Sequence, residues 1–339
     1  MDLETFKVLV QRPLEEGAET LDLKRLIESQ EWLGDDLVRR KLCDLLRRFH
    51  EHLRELDLTS NMISDQGAIV LAQTLAAQTS LVSLGLGFNL IKDAGVSSIA
   101  RMLTYNTTLQ SLSLEDNQIT QQGATALSSA LARNSSLKHL VLSANCFEDP
   151  CVEILAHGLA NNHGLHSLDL SVNHITDKGA IAVARALATN QTLGSLMLQH
   201  NRIGPLGASA LAEALKYNAT LASLNLEANM IHDQGAQALA AAVACNSALC
   251  LLNLRWNQIT RDGVHALDIA SYQMPHARSK RCDVQTNNNF ADAEPAPEDN
   301  FLSSAEETDD DMQCDQHHHH ESHFTGQQAV HQHALSSPE

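Results

Sequence analysis

The sequence predicts an α/β solenoid, with a parallel β-sheet on its concave face and α-helices on its convex face. Three observations predict it. First, a pattern that starts at Leu53 restarts at Leu81, Leu109, Leu137, Leu165, Leu193, Leu221 and Leu249, every 28 residues and without insertion. A fixed period of this size marks stacked supersecondary units that contact mainly their neighbours. Second, each copy holds a Leu-x-Leu pair of period two, then leucines and alanines of helical period. Third, aromatic residues are only 4% of the chain, while Leu and Ala fill the copies, which suits a thin core. Strands stack about 4.8 Å apart whereas helices are about 10 Å wide, so the stack bends towards its strands.

Residues 1–52 form an N-terminal segment. Its first 20 residues carry little pattern, but Val38, Leu42, Leu45 and Phe49 fall on one face of a helix and Arg40, Lys41, Asp44, Arg47 and Arg48 on the other. This predicts an amphipathic helix covering the open end of the first repeat. Eight repeats occupy 53–274. The pairs from Leu56/Leu58 to Leu252/Leu254 are strand residues facing the core. Each repeat then has an asparagine: Asn61, Asn89, Asn117, Asn145, Asn173, Asn201, Asn229 and Asn257. An amide both donates and accepts, so these side chains are expected to bond the turning backbone of their own and the next repeat. Ser64, Thr120, Thr176 and Thr260 stand where a helix N-cap belongs. Glycine recurs in the first helical turn, where a side chain would collide with the adjacent unit. Ala68, Leu71, Ala72 and Leu75, with their equivalents, are the buried helix face.

Two repeats depart from the pattern. The fourth reads Cys146-Phe147-Glu148-Asp149-Pro150-Cys151, with Cys151 in place of glycine; proline is tolerated early in a helix, and a redox or metal pair of cysteines is the alternative. The eighth decays after Leu267, placing the end of the array near Tyr272. The remainder, 275–339, is a polar tail with thirteen acidic residues against Arg278, Lys280 and Arg281. Such a composition predicts disorder. His317, His318, His319 and His320, with His323 and Cys314, would take up divalent metal if it were offered, which reads as adventitious affinity.

The formal net charge of −18 argues against nonspecific nucleic-acid binding, which needs a basic footprint. Seven cysteines in no regular framework indicate reduced thiols and a cytoplasmic protein. No signal peptide or membrane-spanning stretch is expected. G-x-S-x-G, H-E-x-x-H, Cys-x-x-Cys and glycine-rich phosphate loops are all missing from the sequence. The expectation is therefore a binding module, without cofactor, rather than an enzyme.

The pattern LxxLxLxxNxIxDxGAxxLAxAL over 53–270 resembles the ribonuclease-inhibitor-like class of leucine-rich repeats. That class also occurs in the sensor regions of NACHT-type immune receptors and in the Ran GTPase-activating protein. The resemblance implies a horseshoe and a protein partner, as in a regulatory, immune-sensor-like or host-directed effector protein, the last delivered into a host cell. It leaves open a GTPase activator for a small Ran-like GTPase, while the histidine tract leaves open metal sequestration. The repeats are preceded by a short segment without G-x-x-x-x-G-K-[ST].

Side chains beside the strand leucines point away from the core. The candidate partner-binding residues on that face are Phe88, Asp116, His139, Val141, Asp169, Val172, Met197, Gln199, His200, Glu227, Arg255 and Trp256. Phe88, Val141, Val172, Met197 and Trp256 are apolar where solvent would otherwise be, and aromatic residues, Met and Arg are enriched at interfaces. Ser171 is likewise expected to face solvent.

Overall fold

A computed structural model describes residues 3–24, 33–49, 51–76, 79–272, 282–287 and 289. The chain divides into two units, Met1–Ala296 and Pro297–Glu339. The second unit, and with it the histidine tract, lies outside the described residues.

The first unit carries one parallel sheet of ten strands paired in chain order. These are β1 (Thr20–Asp22), β2 (Glu55–Asp57), β3 (Ser83–Gly85), β4 (Ser111–Ser113), β5 (His139–Val141), β6 (Ser167–Asp169), β7 (Ser195–Met197), β8 (Ser223–Asn225), β9 (Leu251–Asn253) and β10 (Asp283–Gln285). From β2 to β9 the register advances by one repeat per strand, so Leu84, Leu112, Leu140, Leu168, Leu196 and Leu224 stand side by side. All are buried, as are the partners Leu86 to Leu254 two residues later. Period two thus sends one row of leucines inward, and the shared register stacks that row into a continuous core.

Between consecutive strands the chain returns through a helix, from Asp65–Leu75 to Arg261–Tyr272. Each buries small residues and leucines, such as Ala180, Val183, Ala184 and Leu187 in Asp177–Leu187. Among the described residues no helix is long and apolar enough to cross a membrane.

Both ends extend beyond the eight expected repeats. At the N-terminus the helical run 34–48 buries Val38, Leu42 and Leu45 and exposes Arg40, Lys41, Asp44, Arg47 and Arg48, and Val38–Leu42 is π-helical. The unanticipated stretch is upstream: Leu3–Phe6, Lys7–Gln11 and Arg12–Glu15 make a further helical run that buries Phe6, Val10 and Leu14. After it comes β1, which aligns Leu21 with Leu56. That offset is longer than the repeat, so the strand is invisible to a fixed period.

At the C-terminus β10 falls inside the stretch that composition assigns to the tail. It aligns Val284 with Leu252, and Cys282 beside it is buried. The ordered array therefore runs past Tyr272 and past 275, because Asn289 repeats the role of the repeat asparagines. Its Nδ2 donates to Leu254 O and Thr286 O, and its Oδ1 accepts from Asn257 N.

Candidate functional site

Three ladders of polar side chains fix the sheet and its edges. In the first, Asn173 Nδ2 donates to Leu170 O and Ser171 O of its own turn and to Leu142 O of the preceding repeat. Its Oδ1 accepts from Asn145 N and Phe147 N. The asparagines thus hold the preceding repeat, not the next one as the sequence suggests, because the turn they fill opens towards the N-terminal neighbour.

The second ladder, which the sequence pattern did not single out, sits where each helix returns to a strand. Asn106, Asn134, Asn162, Asn190, Asn218 and Asn246 are all buried. Asn190 Nδ2 donates to Leu159 O and Asn162 O, and its Oδ1 accepts from Leu193 N.

The third ladder changes the account of the helix N-caps. Ser64 and Thr176 do accept from the backbone two residues on, but Thr120 makes no such bond. Most of the helices share another cap, an aspartate of the preceding repeat; Gln121 and Pro205 interrupt the series, so helices Asp149–Ala160 and Asp233–Cys245 go without it. Asp149 Oδ1 accepts from Thr176 N and Gly179 N at 2.8 and 3.0 Å, while its Oδ2 accepts from the Thr176 hydroxyl. Asp93 serves Thr120 and Gly123 in the same way, and Asp233 serves Thr260. A carboxylate at the positive end of a helix is favourable, and here it crosses between units.

This ladder also explains the fourth repeat. Gln121 stands where Asp93 and Asp149 stand in their repeats, so helix Asp149–Ala160 has no carboxylate cap from the preceding repeat. Its first turn holds Pro150, which has no N–H to satisfy, and a buried Cys151 fits where glycine is otherwise needed. Burial raises the Cys151 thiol above its ordinary value, and its Sγ lies 3.8 Å from Cys146 O. A protonated thiol is a poor ligand and nucleophile. Among the described residues no group of His, Cys, Asp and Glu could hold a metal ion.

The three ladders place the twelve candidate residues. His139, Val141, Asp169 and Met197 are strand residues between core leucines. Gln199, Glu227 and Arg255 follow two residues beyond their strands. None of these seven is buried, and His139 is exposed. The other five form a separate line at the C-terminal edge of the sheet. Phe88, Asp116, Val172, His200 and Trp256 all have φ between 44° and 56°, in the left-handed region. Their chain turns there, immediately before the buried asparagine. The backbone ladder nevertheless continues, with Phe88 N donating to Glu115 O, Val172 N to Gln199 O and His200 N to Glu227 O. Alternation along the sequence assigns these five to the strand face; the turn moves them to the rim. There Trp256 is 59% exposed, Phe88 45% and Val172 40%. Ser171, expected to face solvent, is buried at 4%, tucked beneath the turn that Val172 makes.

The face is acidic. Asp57 Oδ1 accepts from Thr59 N, Asp169 Oδ1 from Ser171 N, and Glu227 Oε2 from Asn253 Nδ2. Burial raises the Glu115 carboxyl above its ordinary value; a hydrogen bond from Ser143 opposes this, Asp169 and Asp116 add like charge, and Lys24 partly offsets them. A carboxyl whose folded value is raised binds its proton more tightly in the folded state. Its stabilising effect is full below the unfolded value and is lost as pH rises through the raised one. Glu115→Gln should therefore raise the melting temperature at neutral pH and leave it unchanged in acid, flattening the pH dependence between the two. A pH series of thermal unfolding curves checks this, and a drop at neutral pH would contradict it.

Two buried polar atoms on this face have no hydrogen-bond partner among the described residues, Gln199 Oε1 and Arg255 Nε. Burying a polar atom without a partner is unfavourable, and native structures contain few such atoms.

The model of the Leucine Rich repeat family matches residues 49–72, 77–100, 105–128, 161–184, 189–212, 217–240 and 249–267. The gap in that series is the repeat in which Phe147 and Cys151 replace the usual isoleucine and glycine. No curated protein matches the chain. Among solved structures, Leiomodin-1 Actin-Binding Site 2 (ABS2) aligns with 52% of this chain and 86% of its own, at 20% identity and a TM-score of 0.36. Seven tandem matches, on ten parallel strands alternating with helices, make this chain a leucine-rich-repeat solenoid of the α/β class.

Proposed function

We propose that this protein is a non-enzymatic interaction scaffold that binds a partner protein through the exposed face and C-terminal rim of its sheet, acting in the cytoplasm. The observation that carries the reading is the coincidence of two features there. The unsatisfied atoms Gln199 Oε1 and Arg255 Nε lie on the face, and the exposed Phe88, Val172 and Trp256 on the rim that adjoins it. A partner surface would satisfy the first and cover the second. Arg and Trp are the residue types most often found among binding hot spots. The thiols of Cys43, Cys151, Cys245 and Cys250, none of them in a disulfide, support a reducing compartment. The finer affiliation, with the ribonuclease-inhibitor-like class, rests on the 28-residue period and the Asn-x-Ile turn.

Trp256 is the first residue to test. The strand after its repeat, β10, already covers that end of the core, so its ring is not needed as a lid. Truncating a hot-spot Trp costs about 2 kcal/mol or more, roughly a thirtyfold loss of affinity. Trp256→Ala should produce such a loss for a partner isolated with the wild-type protein, with the melting temperature unchanged. Tyr217→Ser, on the helix side and 76% exposed, should have no effect on binding. Loss of binding with Tyr217→Ser but not with Trp256→Ala would place the interface on the helices and defeat the reading.

A further inference from the structure

The charges of the sheet face follow the strands with a period of two. Between β2 and β9 the carboxylates are Glu55 and Asp57 on β2, Glu115 and Asp116 just past β4, Asp169 on β6, and Glu227 just past β8. The odd strands carry none. Their equivalent positions hold Gly85, Gly87 and Phe88 at β3, Val141 at β5, Met197 and Gln199 at β7, and Arg255 and Trp256 at β9.

Resting on the sheet-face reading above, we infer that the partner presents an extended segment that crosses the strands, with Arg or Lys at every third position and apolar residues between. Neighbouring strands are about 4.8 Å apart, so carboxylate-bearing strands recur about every 9.6 Å. A polyproline II segment has three residues per turn and rises about 3.1 Å per residue, which brings every third side chain to the same side about every 9.3 Å. The two repeats match. The intervening residues of such a segment then meet Val141 and Met197.

Asp57, Asp169 and Glu227 are open to an outside cation, and Glu115 is offset only in part by Lys24. Asp57, Asp169, Glu115 and Glu227 have neutral hydrogen-bond partners: two backbone amides, the Ser143 hydroxyl and the Asn253 amide. The ion pairs Arg12–Glu16, Arg40–Asp36, Arg47–Asp44 and Lys216–Glu213 are all on helices. Glu115 and Glu227 root two residues further along the chain than Asp57 and Asp169. Glu227 accepts from Asn253 on β9 at 2.7 Å, and Glu115 from the Ser143 hydroxyl at the equivalent place one repeat on. The backbone positions form two rows, Asp57 with Asp169 and Glu115 with Glu227, about 7 Å apart along the strands, a difference that the length of an Arg or Lys side chain spans. Between the β6 and β8 carboxylates the chain just past β7 carries Gln199, whose Oε1 has no donor among the described residues.

The test uses the full chain and two labelled peptides of the same composition, one of four Arg-Pro-Leu units and one with its arginines in a single block. Fluorescence anisotropy should show the spaced peptide binding at least about tenfold tighter, with the advantage shrinking as salt screens the charges. Asp169→Asn, which keeps the acceptor for Ser171 N, should weaken the spaced peptide several-fold. Glu213→Gln on a helix should not. Equal affinity for the two peptides, no binding of the spaced one, or indifference to Asp169→Asn overturns the proposal. A photoreactive group in each peptide separates the two ideas. Equal binding with labelling on the sheet face removes the spacing rule alone. Labelling confined to the helices removes the sheet-face reading as well.

Discussion

Asn173→Ala should destabilise the protein by about 3–5 kcal/mol, since it deletes a side chain that engages five backbone groups and orphans them in a buried turn. The amide is 4% exposed. Its three donations reach Leu142, Leu170 and Ser171, and its two accepted bonds come from Asn145 and Phe147. No water-sized space replaces it cheaply, because Leu142 and Leu170 belong to the closed core. Ser171→Ala, on the same turn, removes a hydroxyl rather than a hub and should cost about 1 kcal/mol or less. Urea unfolding of the two variants measures the difference. Equal losses would show that the turn is held by packing rather than by the amide.

Gly179→Ala should cost about 2–3 kcal/mol, although alanine is the better helix former by about 1 kcal/mol. The local and non-local effects oppose each other here, and the non-local one is larger. A Cβ at Gly179 would stand 2.7 Å from both Asp149 Oδ1 and Ile175 Cγ2. It would displace the carboxylate that accepts from Thr176 N, Gly179 N and the Thr176 hydroxyl. Because the clash is with Asp149 itself, Asp149→Ala combined with Gly179→Ala should cost less than the two single losses added. The fourth repeat is a natural version of that double change, with Gln121 for the aspartate and Cys151 for the glycine. Strict additivity in the cycle would mean that Ile175, not the carboxylate, sets the requirement for glycine.

These two positions show how the sequence is legible and where it is not. Asn173 and Gly179 are visible because each recurs at a fixed place in the repeat, and a recurring polar or glycine position in a buried turn has a physical reason. The aspartate ladder is nearly as regular, broken at Gln121 and Pro205, but along the chain it looks like an ordinary acidic first turn, and the cap falls to Thr176. Spacing along the chain reports contacts within a helix, whereas Asp149 acts on the next unit. The strands β1 and β10 are hidden because the terminal units depart from the 28-residue period to close the core. On the face, the identity of the exposed residues follows from alternation. The left-handed turn at Phe88, Val172 and Trp256 does not, since non-glycine residues rarely adopt it, and with it goes the distinction between strand face and rim.

The ladders also run in opposite directions. Each aspartate reaches forward to the next repeat, from Asp35 acting on Ser64 and Gly67 to Asp233 acting on Thr260. Each turn asparagine reaches backward, ending with Asn289 holding Asn257. No repeat is complete in isolation, and removing a unit from either end leaves its neighbour with a different defect: an uncapped helix at the front, an open turn at the back. Under mechanical tension applied to the two ends of the array, this polarity makes the chain a two-headed zipper. It would open repeat by repeat, and each of the 28-residue units would release about 95 Å of contour length at the extended-chain rise of about 3.4 Å per residue.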